Sequence, residues 1–196
     1  MIYSDENVKS ACQELGSLWP LLRSGLWHST SRERFCAILA DGKIRPDGGQ
    51  NGNDYQGSFA LSIDAVSLFD FENASKNHAL GTYGKWITHL RRHDTAMTVW
   101  IGLNRDRLPG RLILTDEGRE RALVNKLNWY PRVEACHVGP VPTCAFADVL
   151  AVSTTHPYQF ETLGSGEAGL RRLSELVEQW ASPEPSEVGI LRAGRE

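Results

Sequence analysis

The chain has 196 residues, 41% of them hydrophobic and 23% charged, and a net charge of −3 from 21 basic against 24 acidic residues. That balance predicts one soluble globular domain with a real core, and nothing in the overall charge advertises nucleic-acid binding. No apolar run approaches the roughly 18 residues of a membrane-spanning helix, and the polar N-terminus MIYSDENVKS does not read as a signal peptide, so a cytoplasmic location is expected.

In chain order, residues 8–24 carry Ala11, Leu15, Leu18 and Leu22 at helical spacing, with Pro20 expected to interrupt. Leu26 and Trp27 read as a short buried strand that ends at His28. Thr30 and Glu33 have capping-box spacing, so a helix is predicted to start there, with Phe35, Ile38 and Leu39 on its apolar face. Gly42 stops it and Pro46 prevents a restart. Residues 46–57, PDGGQNGNDYQG, form a loop whose one core-forming residue is Tyr55. AVSLF within residues 58–71 predicts a strand, residues 74–92 a helix around Trp86, Ile87 and Leu90, and MTVWIGL (97–103) a second strong strand, followed by the turn NRDRLPG. Residues 116–128 read as an amphipathic helix with Ala122, Leu123 and Leu127 inward. VEACHV (133–138) and DVLAVS (148–153) are predicted strands. Residues 167–181 are a helix with Leu170, Leu173, Val177 and Trp180 on one stripe. The remainder, SPEPSEVGILRAGRE, is expected to fray.

Strands and helices do not alternate regularly. This predicts an α+β domain over residues 1–181, with a split, mostly antiparallel sheet, flanking helices, an N-terminal helical arm (1–24) and a C-terminal tail (182–196). Cys12, Cys36, Cys136 and Cys144 form no CxxC pair and read as reduced thiols. Cys136, His137 and Cys144 match no standard zinc spacing, so no metal is predicted.

Three polar residues interrupt apolar strand context: His28, Ser67 inside AVSLF, and Glu134 inside VEACHV. Singly, a histidine at a strand end caps, a serine in a strand is structural, and a glutamate on a strand faces water. Alternation sets Glu134 opposite to Val133 and Ala135 and on the side of Cys136. A carboxylate there is costly unless it is paired or faces a cleft.

The joint arrangement resembles the ADP-ribosyltransferase-like superfamily. LWHST followed by a helix ending in ILADGKIRP resembles that superfamily's first motif. AVSLF resembles the second motif strand, which carries Ser, Thr or Tyr, and VWIGLNRDRLPG the strand after it. RVEACHVGPVP and then DVLAVS resemble the closing motif with its glutamate-bearing strand. The likeness spans residues 26–153 in the right order and is nearest to the toxin-like, nucleic-acid-modifying branch.

This resemblance implies NAD as co-substrate and reaction at the anomeric carbon of its nicotinamide ribose. Glu134 would be the catalytic carboxylate. His28 would hold the adenosine-side ribose through its ring N–H, Thr30 would assist, and Ser67 would lie beneath the nicotinamide ribose. Backbone around Ser29 would grip the carboxamide, Tyr55 or Phe69 would stack on the nicotinamide, and the loop 46–57 would close as a lid. The family's usual Gly after the His is Ser29 here, and the position two before the glutamate, often Glu or Gln, is Arg132. The implied activity is a toxin or defence effector with a nucleic-acid or protein acceptor, a cognate antitoxin or immunity partner, and no membrane. Two alternatives stay open: hydrolysis of NAD to water, and a catalytically inactive nucleotide-binding or protein-interaction module of the same fold.

Overall fold

The computed structural model describes residues 16–23, 25–46, 57–72, 97–130, 132–154, 159–164 and 166–181. The lid loop with Tyr55, the helix expected at 74–92, the start of the N-terminal arm and the tail after 181 lie outside the described residues.

The chain is α+β. Its sheet has the order β5-β6-β3-β1-β4-β8-β9. The strands are β1 (Leu26–Ser31), β3 (Ala65–Asp70), β4 (Met97–Leu103), β5 (Leu112–Ile113), β6 (Glu134–Val138), β8 (Phe146–Ser153) and β9 (Phe160–Gly164). Every pairing in it is antiparallel. β2 (Lys43–Ile44) and β7 (Val141–Pro142) form a separate small ladder. The helices are α1 (Arg32–Asp41), α2 (Phe59–Ser62), α3 (Thr115–Val124) and α4 (Glu167–Ala181).

Alternation along the strands divides the core between two faces. One face carries Leu26, Leu68, Val99, Ile101, Ala135 and Ala151, and it packs against Phe35 of α1 and Leu173, Leu176 and Trp180 of α4. The other face holds two smaller clusters. Trp27, Phe69, Trp100 and Leu150 pack under Leu18 and Leu22 of the helical segment 16–22. Ala65, Ile113 and Cys136 pack under Phe59 and Ala60 of α2 and Ala122 of α3. No helix among the described residues is long and apolar enough to cross a membrane.

Several expectations change. β1 does not stop at Trp27 but runs through His28 to Ser31, because β4 is buried along its whole length and offers a partner for each of the six residues. That pairing keeps Thr30 extended opposite Val99. The N-cap of α1 therefore falls one residue later, on Ser31, whose hydroxyl accepts from the Arg34 N–H at 3.3 Å. Gly42 stops α1 as expected, in the left-handed region at φ 71°. The helix predicted to reach residue 128 ends at Val124, and Lys126 turns the chain at φ 55°. Leu123 is thus not an inward residue. It is 67% exposed, because Gly118 and Ala122 are the residues α3 buries. Residues 16–22 stay helical through Pro20, which is exposed.

Candidate functional site

The seam between β1 and β3 sets the site. β1 pairs with β4 at all six residues but with β3 at only two, Leu26↔Asp70 and Trp27↔Phe69. Beyond Trp27 the ladder between β1 and β3 stops, so backbone groups there need other partners. His28 supplies one: its Nδ1 lies 3.0 Å from the Ser67 carbonyl oxygen. A carbonyl only accepts, so Nδ1 carries the hydrogen. In the neutral ring Nε2 is then an acceptor.

On the far side of β3, Ser67 pairs with Cys136 and Phe69 with Glu134. Ser67, Phe69, Glu134 and Cys136 therefore share one sheet face, the face of Trp27 and Ser29. The Ser67 hydroxyl donates to Glu134 Oε1 at 3.0 Å. The other carboxylate oxygen, Oε2, accepts the Tyr130 N–H at 2.5 Å, and the Glu134 N–H returns to the Tyr130 carbonyl at 3.1 Å. A tight turn is closed by these two bonds, with Arg132 in the left-handed region at φ 70°. Asp70 N–H holds the end of that turn through the Val133 carbonyl at 2.7 Å.

Glu134 is only 3% exposed. Desolvation pushes its carboxyl from the ordinary 4.5 up to about 7, while the hydrogen bonds from Tyr130 and Ser67 pull it down. Near neutral pH the group therefore exists in both forms, which suits it to take up or release a proton. Cys136 is different. Burial first, then the neighbouring Glu134 charge, raises its thiol to about 12, so it is an inert packing group.

The sequence-predicted residues fall into place unevenly. Ser67 and Glu134 meet side chain to side chain across β3 and β6, whereas His28 stands opposite Ile101 on the other face of the sheet and reaches only the Ser67 backbone carbonyl. Ser29 and Thr30 are buried in β1 opposite Trp100 and Val99. Phe69 is 3% exposed and sits within an aromatic cluster, 5.1 Å centroid to centroid from Trp100 and 6.2 Å from Tyr130. It underlies the site, and Tyr130, half-buried, gives the carboxylate its backbone N–H while its ring lies on Phe69. Tyr55 lies outside the described residues.

Sequence reasoning missed Tyr130, although an aromatic residue four before the glutamate was its signal. It also missed Asp70, buried and paired with Arg105 at 2.7 Å, which in turn reaches Glu72 at 2.8 Å. This network ties β3 to the turn after β4 at the closed end of the seam. Among the described residues, no group of three His, Cys, Asp or Glu could hold a metal ion. His137 points both ring nitrogens at carbonyls, those of Gly139 and Pro109. No protein-family model, no curated protein and no solved structure matches this chain.

Proposed function

We propose that this protein is an NAD-dependent ADP-ribosyltransferase with an ADP-ribosyltransferase-like fold, acting as a toxin or defence effector on a macromolecular acceptor. One observation carries the reading. A desolvated glutamate and a serine are bonded side chain to side chain on one sheet face, and a histidine from the next strand holds the same serine's backbone carbonyl where β1 and β3 stop pairing. They are the three residues that the motif resemblance assigns to NAD chemistry, brought together from positions 39 and 67 residues apart.

The chemistry fits the donor set. The nicotinamide ring of NAD is cationic, and a cation placed beside Glu134 favours its carboxylate form. Cleavage breaks the bond between the ring nitrogen and ribose C1′. The bonding pair leaves with nicotinamide, which becomes neutral, and positive charge develops on the ribose. A fixed carboxylate in a water-poor site stabilises that charge as it forms. The acceptor then bonds to C1′ and gives up its proton, and Glu134, with its carboxyl near 7, is suited to take it. Ser67 holds Glu134 Oε1 in place. His28, its Nδ1–H committed to Ser67, would accept a ribose hydroxyl through Nε2 in the neutral ring, rather than donate to it.

The test is the fate of NAD labelled in its adenylate half, incubated with the protein and a cell lysate. Label on a macromolecule, lost in Glu134→Ala, is the expected result. Label recovered only as free ADP-ribose would make the protein an NAD glycohydrolase. Intact NAD throughout would contradict both and leave a binding module.

A further inference from the structure

The ion pairs of Arg105 close the end of the sheet where β1 and β3 begin to part. β1 lies between β3 and β4, and Leu26 has Asp70 on one side and Leu103 on the other. Arg105, two residues beyond Leu103, reaches past the start of β1 to Asp70 Oδ1 at 2.7 Å and to Glu72 Oε2 at 2.8 Å. A planar guanidinium with one nitrogen on each of two carboxylates fixes where the end of β3 stands relative to β4. Asp70 is 2% exposed, so water and salt screen its pair with Arg105 little. The same Oδ1 takes the Glu72 N–H at 3.0 Å. The Asp70 N–H goes to the carbonyl of Val133, the residue before Glu134, at 2.7 Å. Asp70 is therefore joined to β1 by the ladder, to the turn after β4 by its side chain and to the Glu134 turn by its backbone. The turn that carries Arg105 is itself fixed, by the Asn104 N–H on the Ala145 carbonyl at 2.8 Å and by the Asn104 side chain on the Asp106 N–H at 3.0 Å.

We propose that Arg105 is a positioning residue: through Asp70 it fixes the angle at which β3 leaves β1, and so sets the distance between His28 on one side of the seam and the Ser67–Glu134 pair on the other. Its part in catalysis rests on the transferase reading above; its hold on the seam does not. Two residue pairs are all that join β1 to β3. His28 is the first residue past them, and a hydrogen bond of 3.0 Å carries its contact with Ser67 between strands that no longer pair. A few tenths of an ångström separate such a bond from none, so a small swing at the closed end breaks it. β1 is held against β4 at all six residues. The part free to swing is β3, which is paired to β6 over five residues. It would carry Ser67 and Glu134 away together and leave His28 behind with β4.

The experiment reads the tautomer of His28 from the nitrogen resonances of its isotope-labelled ring, assigned by their loss in His28→Gln, at a pH above the ordinary imidazole range. The wild-type protein should show the Nδ1–H form, because the Ser67 carbonyl can only accept. Arg105→Gln should lose that signature and slow nicotinamide release by about 10²-fold, as a misplacement of about 1 Å does. Asp70→Asn combined with Arg105→Leu removes the clamp without leaving a buried charge unpaired, and should do the same in a protein that stays folded. Arg172→Gln breaks the pair with Glu161 at the far edge of the sheet and should change neither readout. A merely structural ion pair would lower the unfolding midpoint and leave the tautomer alone. A folded double variant that keeps the Nδ1–H form would overturn the proposal, as would a wild-type ring without it. Slowed release with the His28 signature intact would overturn it too. Loss of the signature in the variants, with no release from the wild-type protein, would uphold the clamp and contradict the transferase reading.

Discussion

The two seams of β1 make opposite use of the same strand. Toward β4 it is zipped at every residue, through Leu103, Ile101, Val99 and their neighbours, all buried. Toward β3 it is zipped at two residues, and beyond them the His28 side chain takes the Ser67 carbonyl, while the Ser67 hydroxyl turns to Glu134 across the next seam. One seam is held by ladder and apolar burial, the other by a polar chain that leaves a titratable group in the interior. The lesson is that a fully satisfied seam lets its neighbour stay unzipped. Buried polar groups are tolerated beside a strand that is already well anchored, because their cost is met by packing elsewhere.

The comparison can be broken from either side. The largest effect belongs to the open seam: Glu134→Ala should slow nicotinamide release by about 10³-fold, as loss of a preorganised electrostatic group does, while far-ultraviolet circular dichroism stays native. On the zipped seam, Ile101→Ala removes a fully buried side chain that stands opposite His28. It should cost roughly 2–5 kcal/mol in urea unfolding.

Glu134→Gln sharpens the comparison through pH. The folded carboxyl sits at about 7 against an unfolded value of 4.5, so the folded state binds the proton more tightly. Stability from this group is fully present below 4.5 and is lost as pH rises through about 7. Above pH 8 the loss reaches on the order of 3 kcal/mol. Glutamine keeps an oxygen for the Tyr130 N–H and can donate to Ser67. The variant should therefore be more stable than the wild type at pH 8, with the gap closing toward pH 4.5. An equal pH dependence in both proteins would show that Glu134 does not titrate as the structure requires. The smallest effect tests neither seam: Gly42→Ala, at φ 71°, should cost about 1 kcal/mol and leave nicotinamide release unchanged.

Much of the scaffold was legible because single local signals dominate it. MTVWIGL is β4 to the residue, since six apolar or β-favouring residues around Gly102 need no partner information to read as a strand. The stripe of Leu170, Leu173, Val177 and Trp180 sets α4, and Gly42 sets the end of α1. What misled was context. The Thr30–Glu33 spacing is a sound local cap, yet ladder pairing with β4 overrode it and moved the cap to Ser31. Leu123 follows the helical period, yet the helix meets the sheet with Gly118 and Ala122 instead, where the Trp129 ring takes the space a side chain at Gly118 would fill. For the site, Ser67 and Glu134 were legible as polar residues in apolar strands. Their contact was not, because it depends on the register of β3 against β6. The turn that presents Tyr130 and Arg132 was hidden too, since no glycine marks the left-handed position of Arg132.

The measurement that tests the central claim most directly is nicotinamide release from NAD as a function of pH, with the wild-type protein and Glu134→Gln side by side. The account predicts release that rises as the Glu134 carboxylate forms near pH 7 and that is lost in the variant. Release undiminished in Glu134→Gln, or none at any pH from the folded wild-type protein, would contradict it.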